Sequence, residues 1–182
     1  MLYASIPLVD FHAGDRLPGR AYAKHARLNL DDAYYARALE LLRNASAKPL
    51  HVVLFGASVT QPDERGHDFL RDAAGAASTL PAYAAKRFPS SAVVIDNDAF
   101  NDLAHFAFAD VFVAARSQFS YAALALSRGV ALRPADFRGR SPVRFDAAHA
   151  AACHVAVDGA AASARLAAAL ADPACANRRG TR

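Results

Sequence analysis

Cysteine is nearly missing from this chain: Cys153 and Cys175 are the only two in 182 residues. That excludes a multi-bridge disulfide framework. The pair reads as two separate thiols, with a single bridge left open for a secretory protein. No run of 18 apolar residues occurs, which excludes a membrane-spanning helix on sequence grounds. The opening Met1-Leu2-Tyr3-Ala4-Ser5-Ile6-Pro7 lacks the charged start and long apolar core of a signal peptide. The expectation is a chain that is soluble as given. Its abrupt opening, almost directly in a strand, points to a truncated or partial gene product. Excess charge is small, at +4, and part of it lies in a basic tail, 176–182, with Arg178, Arg179 and Arg182. No basic face is interleaved with aromatics, so nucleic acid is not an expected partner. The seven histidines are scattered, with no i, i+4 pair beside a carboxylate on a clear helix, so no metal is implied. Internal repeats and low-complexity linkers are lacking too, which leaves one expected domain over residues 1–175.

What the chain does have is apolar bulk. Hydrophobic residues make up 54%, much of it alanine, which favours closely packed helices around a sizeable core. Short apolar runs alternate with helical stretches. Strands are expected at Ile6 to Phe11, His51 to Phe55, Ala92 to Ile95, Val111 to Ala115, Val130 to Leu132 and Cys153 to Val157. Helices are expected at Ala33 to Arg43, in broken form across Asp68 to Phe88, at Phe100 to Phe108, at Ser120 to Arg128 and at Ala160 to Leu170. The loop from His12 to Leu30 is rich in Pro, Gly and Arg, and loops of that length are usually functional or disordered. The alternation predicts a three-layer, Rossmann-like α/β fold with five or six mostly parallel strands.

One unit organises the rest. Val111 to Ala115 is a buried-strand pattern, Ser120 to Arg128 a helix, Gly129 its stop, and Val130 begins the next strand. That is a βαβ unit with parallel strands and a right-handed crossover. Its first turn, Ser117-Gln118-Phe119-Ser120, lies where a strand's carboxyl end meets a helix N-terminus. Unpaired backbone N–H groups and the helix dipole make such a turn an anion site, most often for phosphate. The plain alternative is a serine that only caps its helix.

Residues Ala109 to Leu132 resemble the donor-binding domain of fucosyltransferase-like glycosyltransferases of the GT-B type. There an Ala-Asp pair, an apolar strand, Ser-x-Phe-Ser and a small-residue helix follow one another; here they are Ala109-Asp110, Val111 to Ala115, Ser117-Gln118-Phe119-Ser120 and Tyr121-Ala122-Ala123-Leu124. Gly14-Asp15 matches the end of the family's His-x-Arg-x-Gly-Asp signature. Arg20, the pair Tyr34-Tyr35 and the acidic Asp96 and Asp98 recur in the same order. The resemblance spans Leu8 to Pro134. Two departures stand out. Asp10 occupies the signature's His position and His12 its Arg position, and the acceptor-side half of a GT-B enzyme is missing.

The resemblance implies a nucleotide-sugar donor, with GDP-fucose the leading candidate, no further cofactor, and a second Rossmann-like domain as partner. In a eukaryote it implies the secretory pathway. His12 and Asp15 become the candidate catalytic positions, His12 near the diphosphate and Asp15 holding its loop. Arg20 would replace lost charge, Asp98 would lie near the base or ribose, and Ser117, Gln118, Phe119 and Ser120 would present N–H and hydroxyl groups to the diphosphate. An imidazole is mostly neutral near pH 7, whereas a guanidinium is always charged and grips phosphate bidentately. A non-catalytic remnant of such a domain is therefore a competing expectation. A further rival is an SGNH-type ester hydrolase, with Ser58 in Gly56-Ala57-Ser58-Val59-Thr60, the pair Asp146 and His149, and Asn97 or Asn101 as oxyanion donor. Ala57 stands where that family carries Asp.

Overall fold

A computed structural model describes residues 1–7, 32–56, 85, 88–95, 98–116, 118–135 and 146–176. Six strands appear among them: β1 (Leu2–Pro7), β2 (Leu50–Gly56), β3 (Ala92–Ile95), β4 (Val111–Val113), β5 (Val130–Arg133) and β6 (His154–Ala156). Five α-helices accompany them: α1 (Asp32–Ala45), α2 (Ala99–Phe108), α3 (Gln118–Leu126), α4 (Ala147–Cys153) and α5 (Ala162–Ala171). A 3₁₀ turn, Pro173–Cys175, follows α5. The strands form one sheet in the order β3-β2-β1-β4-β5-β6, and every pairing is parallel.

The core follows from period-two alternation within the strands. Leu2, Ala4, Ile6, Val52, Leu54, Val111, Val113, Val130 and Leu132 face one layer, which α1 and α5 cover. Val53, Phe55, Phe112, Ala114 and Ala131 face the other, which α2 and α3 cover. Helices on both faces require strands that are apolar throughout, and β4 meets this with three fully buried residues. Burying each such valine or phenylalanine contributes roughly 1.5–3 kcal/mol. The expected three-layer, Rossmann-like α/β fold is the observed one, with six strands.

Several boundaries differ from the sequence reading. The first strand begins at Leu2 rather than Ile6, pairing Leu2 with Leu50 through Pro7 with Phe55. Ala4 and Ser5 hide it in sequence, since neither favours strands on its own; both are fully buried in a central strand. The third helix starts at Gln118 and ends at Leu126, two residues early at each end. Ser127 causes that stop: its buried hydroxyl accepts the Gly129 N–H at 3.1 Å, turning the chain into β5. Helix α4 occupies residues to which the sequence assigned no element, and takes in Cys153, the expected start of the last strand. The two cysteines are a disulfide, Cys153 to Cys175, rather than separate thiols. Among the described residues no helix is long and apolar enough to cross a membrane.

Candidate functional site

Because all six strands are parallel, their carboxyl ends lie along one edge. Pro7 ends β1 there, Val113 leads through Ala114 to Arg116 and α3, Arg133 ends β5, and Asp98 follows β3. The order reverses direction between β1 and β4. After β1 the chain builds outward through β2 and β3, and after β4 outward through β5 and β6. Helix α1 covers one face and α3 the other, and at such a reversal point ligands collect in open α/β sheets.

The β4–α3 corner stands at that reversal point. Its geometry is fixed from inside. Ser120 is fully buried, and its hydroxyl accepts the Ala115 N–H at 3.1 Å. Phe119 is half-buried and sets its ring edge-on to Phe106, 5.7 Å between centroids. The expectation that the Ser120 hydroxyl faces a ligand is thus corrected: it ties the strand end to the helix. What the corner has to offer an anion is the first-turn backbone of α3. Helix α3 begins at Gln118, while His12, Asp15, Arg20 and Ser117 lie outside the described residues.

Asp98 is held by a different task. Its carboxylate accepts the Phe100 and Asn101 N–H groups at 2.9 and 3.2 Å, capping α2. Two strands separate β3 from β4, a lateral distance of roughly 14 Å. The structure therefore places Asp98 on the same edge as the β4–α3 corner but away from it. Other motif residues also prove to be built into the fold. Asp110 accepts the Tyr3 N–H at 2.8 Å, joining the start of β4 to that of β1. Tyr35 is fully buried, and Tyr34 donates its hydroxyl proton to Ala114 O at 2.9 Å. Burial first, then the neighbouring Tyr35 and Asp158, hold the Tyr34 hydroxyl well above its ordinary pKa against the opposing pull of Arg116 and Arg133.

Of the residues named for a hydrolase, Asp146, His149 and Asn101 fall among the described residues. Asp146 caps α4, accepting the backbone N–H of Ala148 at 3.0 Å and of His149 at 3.2 Å. Those bonds, the His149 one foremost, hold its carboxyl below the usual range, with Arg128 3.5 Å away adding to the effect. The His149 ring instead meets His154 edge-on at 5.7 Å. Ser58 and Asn97 lie outside the described residues, and Asn101 is exposed on the first turn of α2. Among the described residues no group of three or more His, Cys, Asp or Glu side chains could hold a metal ion.

Two residues at the edge were passed over in sequence, Arg116 and Arg133. The signal was there: an arginine closing an apolar strand must sit where the strand leaves the core. The parallel strand order with helices on both faces defines a Rossmann-like α/β domain. No family model matches the chain, and no curated protein and no solved structure shows significant similarity to it.

Proposed function

We propose that this chain is the nucleotide-sugar-binding domain of a fucosyltransferase-like glycosyltransferase. The observation that carries this reading is the position of the Ser-Gln-Phe-Ser turn. Its Gln118, Phe119 and Ser120 open α3, which follows β4 at the reversal point of a 3-2-1-4-5-6 sheet. Dinucleotides and related phosphates bind there in open α/β sheets, against helix N-termini. In this reading the first-turn backbone of α3 receives the donor's diphosphate, and Ser117 and Gln118 are the residues the resemblance assigns to it. Asp98, further along the same edge, is the residue the resemblance assigns to the base or ribose. A second Rossmann-like domain supplies the acceptor.

His12 sets the expected strength of this activity. With an imidazole where the family's signature carries a guanidinium, a departing diphosphate is less stabilised. Binding without efficient transfer, as in a non-catalytic remnant, belongs to the same reading. The Cys153–Cys175 bridge supports folding in an oxidising compartment, as the family resemblance implies for a eukaryote. The test is thermal: millimolar GDP should raise the melting temperature, and guanosine should raise it less. A flat response across a panel of nucleoside diphosphates and nucleotide sugars overturns the reading. In the same assay His12→Arg should enlarge the GDP shift.

A further inference from the structure

Helix α2 leaves two large aromatic side chains in water: Phe100 is 81% exposed and Phe108 71%. Ala104, midway between them, is exposed too. Residues four apart lie on one face of a helix, so the three form a single apolar stripe. The core does not use it. Phe106 takes the sheet side instead, 1% exposed and packed on Phe55 and Phe112 with centroids 4.9 and 5.1 Å away. Beside the stripe stand Asn101 and His105, both exposed.

The stripe reads the same from either end, because its phenylalanines stand four positions before and after Ala104. A two-fold axis through Ala104 therefore turns the stripe onto itself and sets Phe100 level with Phe108 of a second copy. The small side chain at the centre lets the helix axes approach to about 8 Å, the short end of the usual range. Charge selects the same arrangement. Helix α2 starts with Asp98 as its cap and Asp102 in its first turn, while His105 stands in its last turn. Antiparallel crossing sets each pair of aspartates against the other copy's histidine, and the opposed helix dipoles attract. Parallel crossing would set aspartate against aspartate.

We propose that α2 is the seat of a two-fold dimer of this chain, its helices crossing antiparallel at Ala104 so that Phe100 of each copy packs on Phe108 of the other. The inference is independent of the nucleotide-sugar reading. Area sets the strength of the dimer. At these exposures the four phenylalanine rings of two copies offer roughly 600 Å² of aromatic surface. Ala104, Asn101 and His105 add a rim. The total falls at the low end of specific interfaces, below about 1,200 Å², where association is weak and reversible. Aromatic side chains are also the residues that most often carry such an interface. The dimer therefore forms and parts with concentration.

Sedimentation velocity over a concentration series tests the dimer. The wild-type chain should move from monomer toward dimer as its concentration rises toward about 1 mM. Phe100→Glu and Phe108→Glu should each weaken association by at least about tenfold. Both side chains stand in water in the single copy, so circular dichroism should show both variants folded. Phe100→Ser and Phe108→Ser carry the test if a glutamate disturbs α2. Ala104→Cys, under mild oxidant, should lock the dimer through a disulfide between the two copies, because helices this close bring facing Cα atoms within its reach. The native cysteines are already paired with each other and do not compete. A wild-type chain that stays monomeric at about 1 mM overturns the proposal and leaves the stripe to a different partner. A dimer that both glutamate variants retain overturns it as well, as does one that Ala104→Cys fails to lock.

Discussion

His154 lies on β6, level with Ala131, and is 3% exposed, although it is ionisable. Burial, reinforced by His149 and Arg133, pushes its pKa down to about 4 from the usual 6.5. Above pH 6.5 the imidazole is neutral in both folded and unfolded chains, and folding is unaffected. Between 6.5 and about 4 the unfolded chain takes up a proton that the folded one refuses, so stability falls as the pH falls. The gap corresponds to on the order of 3 kcal/mol. Urea denaturation at steps from pH 7 to pH 4 should show this decline, and His154→Leu should flatten it relative to wild type. An identical slope in the variant would refute the assignment. Little of this was legible in sequence, because an isolated His beside Val155 carries no sign of whether its face is covered. Ser120 repeats the lesson: a serine at a helix start reads as an exposed cap or ligand, and only packing turned it inward to Ala115.

Among the elements, helix α2 depends most visibly on one side chain. Asp98 satisfies two of the N–H groups that a helix start leaves unpaired. Asp98→Ala should cost about 1 kcal/mol of stability by chemical denaturation, and Asp98→Asn much less, since the amide oxygen still caps. The same pair of variants distinguishes a cap from a ligand. If Asp98 also holds the ribose, both should lose GDP affinity, whereas a pure cap leaves affinity intact in the asparagine variant. Element type was largely readable. Strand β3 matches its expected bounds, Ala92–Ile95, because four apolar residues end at an acidic turn. Strand β1 was displaced because Ala4 and Ser5 give no strand signal, and their place was earned by lying between β2 and β4. Helix α4 was missed because its Asp-x-x-His start resembles a catalytic block, although its mostly alanine body favours a helix.

At the scale of the whole molecule, the Cys153–Cys175 bridge closes the final unit of the fold, its ends 22 positions apart in sequence. It ties the end of α4 to the turn after α5, across β6, and α5 in turn packs on α1. In the chain-entropy model, closing such a loop stabilises the fold by about 3 kcal/mol. The double variant Cys153→Ala/Cys175→Ala should lose roughly that amount in denaturant unfolding. Reducing agent should lower the wild-type melting temperature and leave the variant's unchanged; equal melting in both would show the bridge is dispensable. By itself the sequence determined the alternation of strands and helices, the three-layer class and the strand–turn–helix corner, because hydrophobic period and turn chemistry are local properties. Only the tertiary structure decided the strand order, the cysteine pairing, and which side chains at the edge are used up inside. Those depend on contacts between residues far apart in the chain, as when Tyr34 reaches Ala114 or Ala114 reaches Leu132. Arg116 and Arg133 were visible all along; that they follow from neighbouring strands is a fact of sheet order.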